Sequence, residues 1–442
     1  MTDIAEDPAT AQEDADHPYS MTVDLAVVES LGINLYSNAA AVLSELVANA
    51  YDADATRVTI AWKQGGESIV VTDNGIGMTR DQLNTRFLKV GYKKRAAEGV
   101  KSDIWDRPYM GRKGIGKLSV FSIAETVTVY SVTEGGEANG LKIDAKELET
   151  RISAGKKYYP DPVDVPTEYE ARGTTIVLTD LKKKRADLTV QALRKRLARR
   201  FDVLNAKPEE EGGFYIEVND KIVTWADRQE LKKLEFIWEF GKAEIPTTAL
   251  PMGVTKFIEP NNAVNATEGW KISGWIGTAV KPTDLTSDDE AGSLKNIIVL
   301  ARKRPIQEGI VEKLDFSRLF GNYVTGQIEA DFLDLDEGYD DIATSDRQRL
   351  IEDDERVVQL QKFLRDFFVR AADQWSRERP KKQAKDVLAK YPKLRAWVDG
   401  RPQWQRESAE KLIGTIASIE LEAGAPEKNR VDLFRAGILA FE

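Results

Sequence analysis

Apolar residues recur along this chain at two spacings. Over residues 43–54, LSELVANAYDAD, the spacing is helical: at about 100° per residue, Leu43, Leu46, Val47 and Ala50 share one side, and Glu45, Asn49 and Asp52 fall in a narrow stripe on the other. This predicts a core helix with a polar face. Alternation follows. RVTIAW (57–62) and SIVVTD (68–73) read as strands on either side of the turn QGGE, and the second ends at Asp73 inside a Gly-rich acidic turn, VTDNGIGM. Residues 81–90 read as a short helix, and residues 91–109 as a polar connection long enough to move. In MGRKGIGKLSVFSIA (110–124) glycines give way to an apolar run, a loop feeding a helix N-terminus. TVTVY and GTTIVLTDL (173–181) are further strands, the second closing a first domain over residues 19–181.

The next stretch, residues 182–204, predicts a basic amphipathic helix with Leu193, Leu197 and Phe201 on one face. It opens a second domain, residues 182–378, in which strand-like runs recur at FYIEV, KAEIP, WKISGWIG, KNIIVLARKRPIQ and YVTGQIEADFLDL. A helix over residues 354–375 carries Leu360, Leu364, Phe367, Phe368, Ala371 and Trp375 at steps of three and four. Residues 379–442 read as a charged helical segment that stops in mid-pattern, so the natural chain is expected to continue beyond Glu442. The fold class predicted is α+β.

Composition narrows the chemistry. The 442 residues carry a formal net charge of −10, with 31% charged side chains, which argues against affinity for polyanions over the whole surface but leaves local basic patches open. There is no cysteine, which excludes disulfides, thiolate metal sites and thiol catalysis. The one histidine, His17, lies in an acidic N-terminal stretch (1–18) that reads as a disordered tail and not as a signal peptide. A Ser-His-Asp triad and a multi-histidine metal site are therefore unavailable. No apolar run is long enough for a membrane span, so the expected location is the cytoplasm. What remains is carboxylates, amides and basic groups. A Glu and an Asn one helical turn apart are suited to polarising a water and to binding a hard cation through oxygen.

Four elements stand in order: Glu45-x3-Asn49, the Asp73-x-Gly75-x-Gly77 turn, the loop Gly111 to Gly116, and Gly173-Thr174-Thr175. In this the chain resembles the GHKL ATPases, the superfamily of gyrase, the ninety-kilodalton heat-shock chaperone, histidine kinases and MutL, over roughly residues 19–181. The resemblance implies a Bergerat fold, an α/β sandwich, with ATP and Mg²⁺ as ligands. It makes Glu45 the general base that orients water and Asn49 the Mg²⁺ ligand. Asp73 receives the adenine amine, with Gly75, Gly77, Met78 and Thr175 around the base, and Asp52 takes a structural or water-mediated role. Gly111, Gly114, Ile115 and Gly116 offer backbone N–H groups to phosphates at a helix N-terminus, with Lys113, Lys117 and Lys94 as side-chain candidates. Residues 91–112 become the lid.

The second domain resembles, more loosely, the transducer domain of the gyrase, MutL, heat-shock and MORC branches. There a basic residue reaches back to the γ-phosphate. Arg347 in ATSDRQRL is the first candidate, assisted by Gln348, with Arg302, Lys303 and Arg304 on the ARKRP loop as rivals. The pattern looks most like prokaryotic MORC-related ATPases. That implies an ATP-dependent homodimer acting on DNA through local basic segments, in DNA processing or defence against foreign DNA. A chaperone acting on a protein client is the alternative. A histidine-kinase-like phosphotransfer module is disfavoured, because no phosphoacceptor helix with a histidine is present.

Overall fold

The computed structural model describes residues 39–62, 66–111, 114, 116–182, 189–202, 212–242, 245–286, 294–314, 316, 319–336, 339, 341–342, 350–419 and 427–442. Arg347, Gln348, Lys113, Ile115 and the expected N-terminal tail lie outside them.

The first layer is an eight-stranded sheet. Its strands are β1 (Arg57–Trp62), β2 (Ser68–Asp73), β3 (Ala124–Val132), β4 (Ala138–Asp144), β5 (Asp161–Pro162), β6 (Gly173–Leu181), β7 (Tyr215–Val218) and β8 (Lys221–Ile222), in the order β5-β4-β3-β6-β2-β1-β7-β8. In β1 the alternation puts Val58, Ile60 and Trp62 inside. Helix α1 (Ala39–Asp52) packs on the sheet and is buried at every position except Asn49. The expected polar face is therefore mostly an interior one: Glu45 and Asp52 are buried as well. Two further elements enclose α1, the 3-10 segment Gly116–Ser122 and a later helix, Val190–Arg200.

The sheet does not stop at Leu181. β7 pairs in parallel with β1, and the Asn219 side chain accepts from the Trp62 N–H, so the boundary expected at 181 falls inside one layer. The apolar face of the predicted basic helix explains this. Leu193 and Leu197 need a partner, and they join the core that α1 occupies.

The segment expected to be the lid lies between β2 and β3. The polar connection expected at 91–109 holds a helix, α2 (Lys94–Glu98), and a bridge between Lys101 and Pro108. Asp54, at the end of α1, accepts from Ile104 N at 2.9 Å and from Trp105 N at 3.2 Å. Arg107 is buried and donates to Ala55 O (2.6 Å) and Gly212 O (3.0 Å). The short helix expected at 81–90 is an α-helical turn, Arg80–Gln82, running into a π-helical turn, Leu83–Phe87. The longer helices are α3 (Ala145–Ser153), α4 (Val190–Arg200), α5 (Glu355–Lys390), α6 (Pro392–Asp399), α7 (Gln403–Ser418) and α8 (Glu427–Phe441).

The second layer is a six-stranded sheet of β9 (Leu234–Phe240), β10 (Thr255–Glu259), β13 (Ser273–Ala279), β14 (Asn296–Ala301), β15 (Arg304–Glu308) and β16 (Val324–Glu329), ordered β10-β9-β13-β16-β14-β15. Strands β11 (Ala263–Asn265) and β12 (Trp270–Lys271) form a separate pair. KAEIP makes no strand among its described residues, and Pro246 instead caps a 3-10 turn. Helix α5 lays Leu360, Leu364, Phe367, Phe368 and Trp375 into the core of this sheet. It then runs on through Pro380, so the boundary expected at 378–379 falls within one helix. Residues beyond the proline, Ala384 and Leu388, are buried, and Leu388 joins a third core with Val398, Ala409, Ile413, Ile416 and Phe434. A Cβ at Gly414 would lie 1.8 Å from Pro380 O, so α7 touches α5 backbone to backbone at the proline. Among the described residues no helix is long and apolar enough to cross a membrane.

Candidate nucleotide site

One cleft gathers most of the predicted residues. Glu45, Asn49 and Asp52 reach it from α1, and Asp73, Gly77 and Met78 from the end of β2. Lys94, Gly111, Gly114 and Lys117 reach it from the lid and the loop after it. Each is positioned by local backbone chemistry. Asp73 Oδ1 accepts from Gly75 N (2.8 Å) and Thr174 N (3.3 Å), which turns the chain and holds the carboxylate. Burial pushes the Asp73 carboxyl up to about 6, although these two N–H bonds pull the other way. Gly77 has φ +68°, and a Cβ there would lie 2.1 Å from Val132 O, so only glycine fits this turn. Gly114 has φ +65°, and a Cβ would meet Tyr92 O at 2.2 Å; the loop is seated against the lid.

Asp52 has a definite place. Its two oxygens accept from Met110 N (2.7 Å) and Gly111 N (2.9 Å), so α1 fixes the start of the glycine loop. Lys94 donates to Asp52 O at 2.9 Å and lies over the Tyr109 ring. Lys117 is held by two carbonyls, Arg86 O (2.6 Å) and Lys89 O (2.7 Å), and burial pulls its ammonium down to about 7.

Thr175 does not face the cleft. Strand alternation places Thr174 and Ile176 there, while Thr175 is buried with its hydroxyl on Thr72 Oγ1 at 3.1 Å. Gly75 shapes the turn without lining the cavity. The sequence reading also missed Arg86, Phe87, Tyr92 and Glu98. Tyr92 Oη donates to Glu98 at 2.6 Å and Arg86 pairs with it at 3.1 Å, closing one wall. Their signal was weak: Arg86 and Phe87 lie in the stretch read as a short helix, and Tyr92 and Glu98 in a polar connection without a motif.

Among the described residues, the second sheet contributes one side chain to this cleft, Arg304. It donates to Glu45 Oε1 and, at 3.3 Å, to Met110 O. Arg304 opens β15, directly after a two-residue hairpin turn whose residues Arg302 (φ 51°) and Lys303 (φ 64°) are both left-handed. That conformation is costly for residues other than glycine. Carboxylates hold it: Asp331 accepts from Arg302 N at 2.6 Å and Glu329 from Lys303 N at 3.0 Å. Of the basic candidates named for the second domain, Arg304 is the one that meets Glu45 among the described residues.

The basic face of α4 is largely neutralised. Arg194 pairs with Asp227 at 2.9 Å, Arg199 with Glu230 at 3.5 Å, and Arg200 with Glu308.

Comparison with known proteins agrees with this geometry. Residues 36–174 match the family described as histidine kinase-, DNA gyrase B-, and HSP90-like ATPase. Among curated relatives, the chain is 35% identical over 368 residues to a protein of Herpetosiphon aurantiacus named "Putative type II restriction enzyme HgiDII", a match covering 83% of this chain and 57% of that protein. It is 28% identical over 241 residues to the chaperone protein HtpG of Photorhabdus laumondii subsp. laumondii, covering 48% of this chain and 35% of HtpG. The chain thus spans little more than half of the first relative and about a third of the second. With the motifs in one cleft and the family match lying over it, residues 36–174 carry a domain of the histidine kinase-, DNA gyrase B-, and HSP90-like ATPase family.

Proposed function

We propose that this chain is an ATP-binding and ATP-hydrolysing switch, cytoplasmic and dimerising on ATP, whose second domain senses the nucleotide through Arg304. The observation that carries this reading is the contact of Arg304, from a different sheet, with Glu45. Asp73 uses its second carboxylate oxygen to accept the adenine amine. The N–H groups of the loop that follows Gly111, whose own N–H is held by Asp52, and the Lys117 ammonium take the phosphates. Glu45 orients the attacking water. Asn49, the exposed position of α1, lines the cleft, and among the described residues no cluster of three acidic or histidine side chains could cage an ion. That donor set fits Mg²⁺, which takes most of its oxygens from phosphates and water. Bound there, the ion supplies charge neutralisation on the phosphate oxygens. Light scattering with a non-hydrolysable ATP analogue and Mg²⁺ is expected to give twice the monomer mass; a monomer at saturation refutes dimerisation.

Action on DNA, of the MORC or MutL kind, is favoured because a match over 83% of the chain is to a protein whose name describes a putative restriction enzyme. The helix expected to face DNA lends it no support, since three of its arginines are paired. The HtpG match favours a chaperone-like reading over a shorter stretch. Salt-sensitive binding of duplex DNA separates the two; suppression of client aggregation without DNA binding supports the second.

Two consequences concern the nucleotide end. Asp73→Asn, which swaps an acceptor oxygen for a donor, is expected to weaken ATP binding by about 10–100-fold in calorimetry. An unchanged affinity refutes the adenine assignment. Affinity is also expected to peak between about pH 6 and 7. Below this range Asp73 gains a proton and stops accepting; above it Lys117 loses its proton and its charge for phosphate. Because phosphate favours the charged lysine, binding at pH 7.5 is expected to take up a proton, read as a dependence of the calorimetric heat on buffer ionisation enthalpy.

A further inference from the structure

The lid and the Arg304 hairpin share a buried ionic junction. Arg95, on lid helix α2, is 7% exposed, and its guanidinium grips Asp334 with both ends, Nη1 to Oδ1 at 2.9 Å and Nη2 to Oδ2 at 2.8 Å. The same guanidinium reaches Asp336 at 3.1 Å and the carbonyls of Tyr109 (2.8 Å) and Met110 (3.2 Å). Asp334 is 3% exposed and ends the 3-10 turn Asp331–Asp334, which follows β16 in the second layer. On its other side, Arg302 of the hairpin turn donates to Asp334 O at 3.3 Å and to Asp336. Two residues on, Arg304 reaches Glu45 and the same Met110 carbonyl that Arg95 touches. The Met110 N–H is meanwhile held by Asp52.

We propose that Asp334, seconded by Asp336, is a positioning residue that joins the lid to the Arg304 hairpin, so that lid, glycine-loop start and Arg304 shift as one body when nucleotide fills the cleft. Three physical points support it. A bidentate Arg–carboxylate pair fixes orientation as well as distance. Because both partners are buried, separating them leaves an uncompensated charge, which favours joint movement over sliding. And Arg302, tied to the same acidic pair, sits in the strained turn that aims Arg304.

The link itself is independent of what fills the cleft, whereas its role in catalysis rests on the nucleotide reading above. The test is hydrogen exchange on the full chain, followed over residues 91–111 and 296–308. In ligand-free Asp334→Asn, exchange is expected to rise about tenfold or more in both segments together. Asp336→Asn, which alters a partly exposed partner and spares the buried pair, is expected to do the same more weakly and guards against a folding failure of the first variant. Loosening of one segment while the other keeps wild-type rates overturns the link. In turnover assays Asp334→Asn is expected to lower kcat about tenfold with less than a threefold change in KM, because the residue places Arg304 without touching ATP. A KM effect with kcat preserved overturns its positioning role. Addition of a non-hydrolysable ATP analogue with Mg²⁺ to the wild type then addresses the nucleotide reading alone: failure to slow exchange anywhere around the cleft refutes ATP binding there and leaves the ligand-free comparison standing.

Discussion

Replacement of Glu45 by Gln is expected to lower ATP turnover by about 10²–10⁴-fold while ATP binding is retained. The reasoning is geometric. Glu45 lies on α1 one turn before Asn49, buried yet lining the cleft, with Arg304 on its Oε1. Gln keeps the size and the hydrogen-bonding carbonyl but gives up the negative charge that polarises water, so the loss falls on the chemical step. The same substitution removes the anion that Arg304 faces in the ligand-free protein. Binding is therefore expected to hold or tighten, since Arg304 is released toward phosphate. Phosphate release and calorimetry on one preparation check both halves. Retained turnover would remove Glu45 from the base role, and lost binding would show that its charge builds the cleft.

Arg304→Ala is the second large effect, a fall in kcat of about 10²–10³-fold, the range seen when one preorganised donor to developing charge is removed. Arg304→Lys is expected to recover only part of it, because a point charge cannot span Glu45 and Met110 O as the guanidinium fork does. The diagnostic companion is binding: the adenine contact proposed for Asp73 comes from the end of β2 and not from the hairpin, so affinity for ADP should move less than twofold or so. If Arg304→Ala turns over ATP at the wild-type rate, the sensor lies elsewhere and Arg347 becomes the residue to replace.

The parts of the site that were legible in the sequence are those where a short segment contains its own chemistry. Glu45 and Asn49 are one helical turn apart, and Asp73 stands at a strand end before glycines that its own carboxylate turns. Thr175 was misread because sequence does not disclose which face of β6 is inward. The antiparallel register of β2 and β6 sets Thr174 opposite Asp73, and a single residue reverses the face. The extent of the first layer was hidden for a similar reason: β7 joins β1 in parallel, a pairing of residues more than 150 apart in the chain. Arg304 was one of several basic candidates on loops. Choosing among them needs the tertiary contact, which comes from the hairpin geometry and the carboxylates that hold it. The continuation of α5 was not legible because proline usually ends a helix, and α5 runs on through Pro380. Here the turns on both sides of it have their own cores to hold them.

That uninterrupted helix has a mechanical meaning. At about 1.5 Å per residue, the 36 residues of α5 make a rod roughly 54 Å long. One end is embedded in the aromatic core of the second sheet, and the other carries the terminal helices. Arg379 and Gln383 still pair with Glu235 of β9, so the rod is clamped to the sheet over most of its length and moves with it. Read this way, α5 is a strut: it hands any shift of the second sheet on to the terminal helices packed at its far end.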